Sequence, residues 1–112
     1  MEIRKWCVYL ADLNPTFGTE LGKTRPVVVV QTDLLNNHHL STIVCPLTTH
    51  IHPHYNILRV HLRTGEAGLI EKSDIMVDQV RAIDNRRFIK RLGMIGRANK
   101  KKLAENIQMI LN

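Results

Sequence analysis

The sequence predicts a small, mainly β protein, in which an antiparallel sheet curls into a barrel or sandwich and one helix follows at the C-terminal end. Six short apolar stretches, separated by turn-forming residues, recur at regular spacing, which is typical of antiparallel strands and not of βαβ units. The end of the chain instead shows helical periodicity. At 112 residues, we expect one domain over residues 1–112.

The predicted strands are Trp6–Leu13, Pro26–Thr32, Thr42–Thr48, Ile57–Leu62, Gly68–Ile70 and Ile75–Ile83. In the first of these, both alternating sets of side chains are apolar, so we expect both faces to be covered. One cover could be a second copy of the chain in a symmetric dimer. Asp33 could cap a helical turn over Leu34–Asn37.

The last predicted helix carries its apolar residues on one stripe, with Asn99 as the expected N-cap. The stripe consists of Leu103, Ala104, Ile107, Ile110 and Leu111. Lys100–Lys102 would then lie in the first turn, where the helix dipole favours anions. They form either a solvated face or a surface for an anionic partner.

The composition limits the class of protein and its partners. The formal net charge of +6 favours a polyanionic partner, such as RNA or an acidic protein. Neither a bilayer-spanning apolar run nor a signal-type stretch is found in the sequence, so we expect a cytoplasmic protein. Cys7 and Cys45 lie in apolar, strand-like sequence and are expected to be reduced and buried.

The most informative segment is the polar loop Asp12–Pro26, which runs directly into the valines Val27–Val30. Pro26 favours an extended backbone at Arg25, so the guanidinium leaves the loop in a defined direction. A rigidly held, planar guanidinium suits a phosphate group. The alternative is a surface ion pair between Arg25 and Asp12 or Glu20.

This segment resembles the MazF/PemK family of toxin endoribonucleases, through Asp-Leu-x-Pro-Thr at residues 12–16 and Gly-Lys-Thr-Arg-Pro at residues 22–26. Three further blocks follow in family order: Ile43–Thr49, Gly68–Ile70 and Asp78–Asp84. The resemblance covers essentially the whole chain. It implies an SH3-like barrel of the CcdB/PemK type with a terminal helix, a homodimer and a cognate acidic antitoxin. It further implies cleavage of single-stranded RNA, without metal or cofactor, to 2′,3′-cyclic phosphate and 5′-hydroxyl ends.

Arg25 is the residue best suited to stabilise the phosphorane formed in such a cleavage. The resemblance places the hydroxyl of Thr48 beside it and makes Glu20 a candidate general base. Two alternatives remain open. Thr48 could simply close a strand, and Glu20 could be a solvated loop residue.

The resemblance also assigns RNA contacts to Thr16, Lys23, Thr49, Asp78, Gln79 and Arg81. Strand alternation would place Asp78 among apolar neighbours, where it needs a hydrogen-bonded or charged partner. Anchoring of loop amides is the alternative role for Asp78. Some family members carry an arginine where this chain has Met76, so a mechanism that uses that arginine does not apply here.

Histidines cluster at residues 50–54, but Pro53 interrupts any strand there and no acidic or cysteine ligand follows at zinc spacing. We therefore expect an exposed loop and no metal site. Two rival functions remain. One is a gyrase-type inhibitor of the same fold, which depends on a C-terminal Trp-Gly-Ile where this chain reads Met109–Asn112; the other is a barrel that binds RNA without cutting it.

Overall fold

The computed structural model describes residues 1–15, 17–18, 23–51 and 58–112. Within them the chain forms seven strands and one α-helix: β1 (Cys7–Asp12), β2 (Thr24–Val29), β3 (Ser41–Thr48), β4 (Arg59–Leu62), β5 (Ser73–Met76), β6 (Arg81–Asp84), β7 (Phe88–Met94) and α1 (Arg97–Leu111). Short 3₁₀ turns cover Glu66–Gly68, Val77–Gln79 and Asn85–Arg87. The predicted mainly β class with a C-terminal helix is confirmed.

All the strand pairs are antiparallel, and the sheet has the order β4-β5-β3-β2-β1-β7. The eight-residue strand β3 organises it. Its first half pairs with β6, from Ser41 opposite Asp84 to Val44 opposite Arg81. Its second half pairs with β5 on the same edge, while β2 lies on the other edge. The end of β3 therefore lies between two strands that are distant in sequence.

The predicted cover on both faces of β1 is present within the chain itself. Val8 belongs to one buried cluster together with Val28 and Cys45. Cys7, Tyr9 and Ala11 belong to a second cluster on the opposite face, to which Val27 and Val29 also contribute. The core thus fills both faces of the first strands without a second copy.

Two of the predicted strands are wrong. Gly68 ends a 3₁₀ turn that packs against β7, and Leu69 and Ile70 follow that turn without forming a strand. Ile75–Ile83 is not one strand, because the turn Val77–Gln79 separates β5 from β6. Both of those strands pair with the same edge of β3, so the chain must step out of the sheet between them.

None of the six predicted strands includes β7. This strand includes Lys90 and Arg91, and it lacks a clear apolar alternation. Its Gly93 passes so close to the turn Glu66–Gly68 that an added Cβ would lie 2.6 Å from the carbonyl carbon of Ala67. Pairing with β1 and this close approach hold β7 in the sheet.

The helix begins at Arg97 with Gly96 as its N-cap, so the prediction of Asn99 as the N-cap is wrong. The Asn99 side chain instead donates to both carboxylate oxygens of Glu66, at 3.1 and 2.9 Å. Glu66 also accepts the backbone N–H of Gly96 at 3.0 Å, which places an anion where the helix dipole favours one. Because the helix begins at Arg97, Lys100–Lys102 are its fourth to sixth residues and do not open its first turn as predicted.

The helix packs a narrower stripe than predicted. Leu103 is fully buried, and Ile107 and Ile110 pack partly buried against the core, whereas Ala104 and Leu111 are exposed. The predicted helical turn after Asp33 is a series of turns instead. Asp33 accepts hydrogen bonds from the backbone N–H of Lys5 and from the side chain of Asn36.

Both cysteines are buried and free, as their apolar surroundings predicted. Burial raises the pKa of the Cys45 thiol to about 12, so Cys45 stays protonated and packs as a small apolar residue. Over the described part of the chain, no helix is long and apolar enough to cross a membrane.

Candidate active site

Arg25 is the second residue of β2, and it lies opposite Ala11 of β1. Its guanidinium reaches toward the other neighbouring strand, where Nη1 donates to the carbonyl oxygen of Leu47 at 3.3 Å. The side chain is half-buried, on a strand whose next residues are Pro26 and the fully buried Val27–Val29. Arg25 is thus held on a rigid part of the sheet, at the border between core and solvent.

Thr48 ends β3 directly after Leu47, whose carbonyl oxygen accepts from Arg25. Val27 of β2 lies opposite Pro46 of β3, and Arg25 and Thr48 are each two residues from this pair. Because strand side chains alternate, both residues project from the same face of the sheet. The Thr48 hydroxyl oxygen accepts the backbone N–H of His50 at 3.1 Å, which shapes the chain as it leaves the strand.

A charged cluster, which the sequence did not predict, lies on the other side of Thr48. Thr48 pairs with Asp74 of β5, whose side chain is completely buried. Asp74 Oδ2 lies 3.3 Å from Nη1 of Arg59, and its Oδ1 lies 2.5 Å from Nδ1 of His61. Arg59 and His61 alternate with apolar neighbours along β4, a signal that could have identified the polar face of that strand.

The side chains of Arg25, Thr48, Asp74 and His61 therefore form a row across β2, β3, β5 and β4. Arg59 joins the row to the chain after β3, because its Nη1 also donates to the carbonyl oxygen of His50 at 3.3 Å. The His61 side chain is 49% exposed, whereas that of Arg59 is only 9% exposed. The row thus combines two buried charges with an imidazole that solvent can reach.

Asp78 does not lie where the sequence predicted. It falls in the 3₁₀ turn Val77–Gln79 and is exposed, so the expectation that it points with apolar neighbours is wrong. The buried carboxylate of this region is Asp74, four residues earlier. Gln79 is half-buried in the same turn.

Arg81 starts β6 and lies opposite Val44. Thr48 is four residues after Val44 in β3, so Arg81 and Thr48 project from the same face of the sheet. Thr49 is exposed directly after Thr48.

Lys23 is exposed at the end of the loop that precedes β2. Its backbone N–H donates to Asn14 Oδ1 at 2.8 Å, and its carbonyl accepts the N–H of Leu13 at 2.9 Å. Arg87 donates to the carbonyl oxygens of Asp12 and Asn14, which ties the start of the same loop to the body of the protein. Thr16 and Glu20 lie outside the described residues, as do His52 and His54.

An open cleft of about 530 Å³ adjoins His61 and Asp74. Ile51, Arg63 and Lys72 also line it. A second cleft that also borders His61 is lined by Arg63, Arg97 and Glu66. The cations around His61 favour an anionic ligand over this part of the surface. Within the described ranges, no group of three or more His, Cys, Asp or Glu residues could hold a metal ion.

The family of PemK-like, MazF-like toxins of type II toxin–antitoxin systems matches residues 4–111. The chain belongs to this family. The match covers almost all of the chain, so the row of side chains described above lies inside the family domain.

Solved structures show the same fold. MazF from Deinococcus radiodurans superposes on this PemK/MazF-family chain with a TM-score of 0.85 at 18% identity, covering 99% of this chain and 97% of that one. The toxin MazF-mt6 from Mycobacterium tuberculosis gives 0.78 at 21% identity, over 94% and 95% of the two chains. A mycobacterial endoribonuclease in complex with its cognate antitoxin gives 0.74 at 18% identity, over 96% and 90%.

Proposed function

We propose that this toxin-family chain is a metal-independent, sequence-selective endoribonuclease that cleaves single-stranded RNA, and that its cellular target is mRNA in the cytoplasm. The observation that supports this most is that Arg25 and Thr48 lie on one face of neighbouring strands, with the Arg25 guanidinium bound to the carbonyl of Leu47, the residue before Thr48. A guanidinium and a hydroxyl on a fixed scaffold can bind two oxygens of one phosphate.

In the proposed reaction, the 2′-hydroxyl attacks the adjacent phosphorus and the 5′ oxygen departs, which leaves 2′,3′-cyclic phosphate and 5′-hydroxyl ends. Arg25 stabilises the charge on the phosphorane, because a guanidinium remains protonated at neutral pH. Thr48 hydrogen-bonds a phosphate oxygen. It does not act as the base, because an aliphatic hydroxyl does not give up its own proton at neutral pH. Glu20 keeps its proposed role as general base, which rests on the family resemblance alone.

The proposed RNA-contacting residues are Thr16, Lys23, Thr49, Asp78, Gln79 and Arg81. Among the described ones, Thr49 follows Thr48 directly. Arg81 of β6 projects from the same face of the sheet as Thr48. Lys23 and Asp78 are exposed, so both are accessible to a nucleotide.

Cleavage without metal is the direct test. Purified protein is expected to cut a long single-stranded RNA in excess EDTA, because the proposed mechanism needs no metal ion. Gel electrophoresis would reveal the fragments, and mass spectrometry would identify the cyclic phosphate ends. An Arg25→Ala preparation made in parallel controls for contaminating nucleases. Cleavage that requires added divalent ion would contradict the mechanism, and RNA binding without cutting would favour the non-cleaving rival.

We also propose that a cognate acidic antitoxin neutralises this chain. A basic surface that binds RNA attracts an acidic segment that folds on binding. The mycobacterial endoribonuclease noted above was solved with its antitoxin, which supports such a partner here. The antitoxin is expected to inhibit cleavage competitively with RNA and less strongly at high salt. Inhibition that does not depend on RNA concentration would indicate a remote site.

A homodimer is the second proposed assembly. Because β1 is covered on both faces within one chain, its apolar pattern no longer supports the dimer. The proposal rests instead on the family resemblance, and exposed apolar side chains such as Ile89 on β7 and Met109 and Leu111 on α1 are available for such a contact. Sedimentation at micromolar concentration should give twice the 12.9 kDa chain mass. A stable monomer would argue against a dimer.

A further inference from the structure

We propose that His61 is the general acid of the cleavage reaction, and that the buried Asp74 is the positioning residue that orients it. This inference rests on the proposed endoribonuclease function. It adds the group that delivers a proton to the departing 5′ oxygen, a role that neither Arg25 nor Thr48 is suited to fill.

The position of His61 relative to Thr48 follows from the strand register. His61 lies opposite Asp74, and Asp74 lies opposite Thr48, so all three project from one face of the sheet. Neighbouring strands are about 4.8 Å apart, which places the backbone of His61 roughly 10 Å from that of Thr48. A phosphodiester held between Arg25 and Thr48 would thus extend toward the imidazole.

The geometry of the pair determines which nitrogen can act. His61 Nδ1 lies 2.5 Å from Asp74 Oδ1, so the carboxylate accepts the Nδ1 proton. Nε2 is then the nitrogen that remains for a substrate, on a side chain that is half-exposed. A buried carboxylate in this position holds one imidazole tautomer and one orientation of the ring, as in other histidine catalysts. The ring is thereby positioned to donate from Nε2 when it carries both protons.

Arg59 completes the support. Its Nη1 donates both to Asp74 Oδ2 and to the carbonyl oxygen of His50, which lies two residues beyond Thr48. A buried carboxylate needs hydrogen-bonding or charged partners. Arg59 supplies one of them and links the His61 pair to the end of β3, where the scissile phosphate is proposed to bind.

The protons of the cleavage step balance without another reactant. The O2′–P bond forms as the general base, proposed as Glu20, takes the 2′ proton. The P–O5′ bond breaks with its electron pair on O5′, and the His61 imidazolium donates its Nε2 proton to that oxygen. The base then holds one proton and His61 has lost one, and exchange with solvent restores both groups.

Other charged groups surround the pair and contribute to its pH response. The positive groups near His61 are Arg59, Arg63, Lys72 and Arg97, the negative ones are Asp74 and Glu66, and His50 lies beyond Arg59. A pH profile alone would therefore combine several titrations. A substrate that no longer needs an acid isolates the contribution of His61.

The experiment compares wild type and His61→Ala on two RNAs under single-turnover conditions. One RNA is ordinary, and the other carries sulfur in place of the bridging 5′ oxygen at the cleaved linkage. Thiols ionise near pH 8.5, far below alcohols, so a thiolate departs without protonation. His61→Ala should lose about 10²-fold or more on the ordinary RNA. On the sulfur-containing RNA it should cleave within about tenfold of wild type, because no acid is needed.

Asp74→Asn is expected to lose a smaller factor in rate on the ordinary RNA and little on the sulfur-containing RNA, since it impairs His61 without removing it. A purely structural role for Asp74 would lower both rates alike. His38→Ala is the matched control, because His38 is an exposed histidine in the turns after β2 and should cleave both RNAs like wild type. Thermal unfolding of each variant verifies that it is folded.

The outcomes separate the two proposals. If wild type cleaves and His61→Ala loses equally on both RNAs, or loses nothing, the assignment of His61 is wrong while the proposed function stands. If the wild type cleaves neither RNA, the proposed function fails and this inference fails with it. Loss on the ordinary RNA, with recovery on the sulfur-containing RNA, establishes His61 as the acid.

Discussion

Replacing Arg25 with alanine is expected to slow the cleavage step by about 10²-fold or more, the usual effect of removing one preorganised donor to a transition state. RNA affinity should fall far less, because one phosphate contact changes the log–log salt dependence of single-strand binding by only about 0.7. The measurement compares single-turnover cleavage with binding to a 2′-deoxy analogue that cannot be cut.

Two variants sharpen this result. Arg25→Lys should not restore cleavage, since an ammonium group cannot reproduce the planar bidentate contact. Arg4→Ala is the matched control, because Arg4 is an exposed arginine that pairs with Glu2 near the N-terminus. Should Arg25→Ala cleave at nearly the wild-type rate once saturated with RNA, Arg25 is a binding residue and the catalytic groups lie elsewhere in the row.

The second large effect concerns stability. Gly68→Ala is expected to lower the free energy of unfolding by about 2–5 kcal/mol, the sum of overpacking and left-handed backbone strain. Gly68 has a φ of +73°, and an added Cβ would lie 2.1 Å from the carbonyl oxygen of Leu92 in β7. That contact is with backbone, so β7 or the turn would have to move.

Gly65 provides the control within the same turn. Its φ is +91°, but an added Cβ would meet no atom within 4 Å. Gly65→Ala should therefore cost only the backbone strain, about 1–2 kcal/mol. Urea denaturation of both variants gives the comparison. Equal losses would mean that Gly68 and β7 are not packed as closely as described here.

These two predictions differ in how far the sequence anticipated them. The sequence points to Arg25 because Pro26 and the valines after it define a buried strand, and family motifs surround it. Gly68 falls in residues 68–70, for which the sequence predicts a strand. The close approach of Leu92 is a contact between residues 24 positions apart, which no local pattern reports.

The broken strand Ile75–Ile83 shows the same limit. Its apolar pattern is continuous, so period and propensity favour one long strand. The break at Val77–Gln79 arises because β5 and β6 share one edge of β3. The strand pattern therefore predicts the wrong surroundings for Asp78. The predicted helix start is wrong for a related reason, since Glu66, 30 residues before Gly96, supplies the anion at the N-terminus of the helix.

The sequence by itself determined the mainly β class, the buried valine strand with Arg25 at its start, the C-terminal helix and the family. Those features depend on local periodicity, on proline geometry and on ordered motifs, all of which can be read along one chain. Only the tertiary structure decided that Asp74 is buried between Arg59 and His61 and that this cluster adjoins Thr48. A buried charge requires partners, and the choice of partners depends on which strands lie side by side. That pairing follows from the packing of the whole sheet around β3.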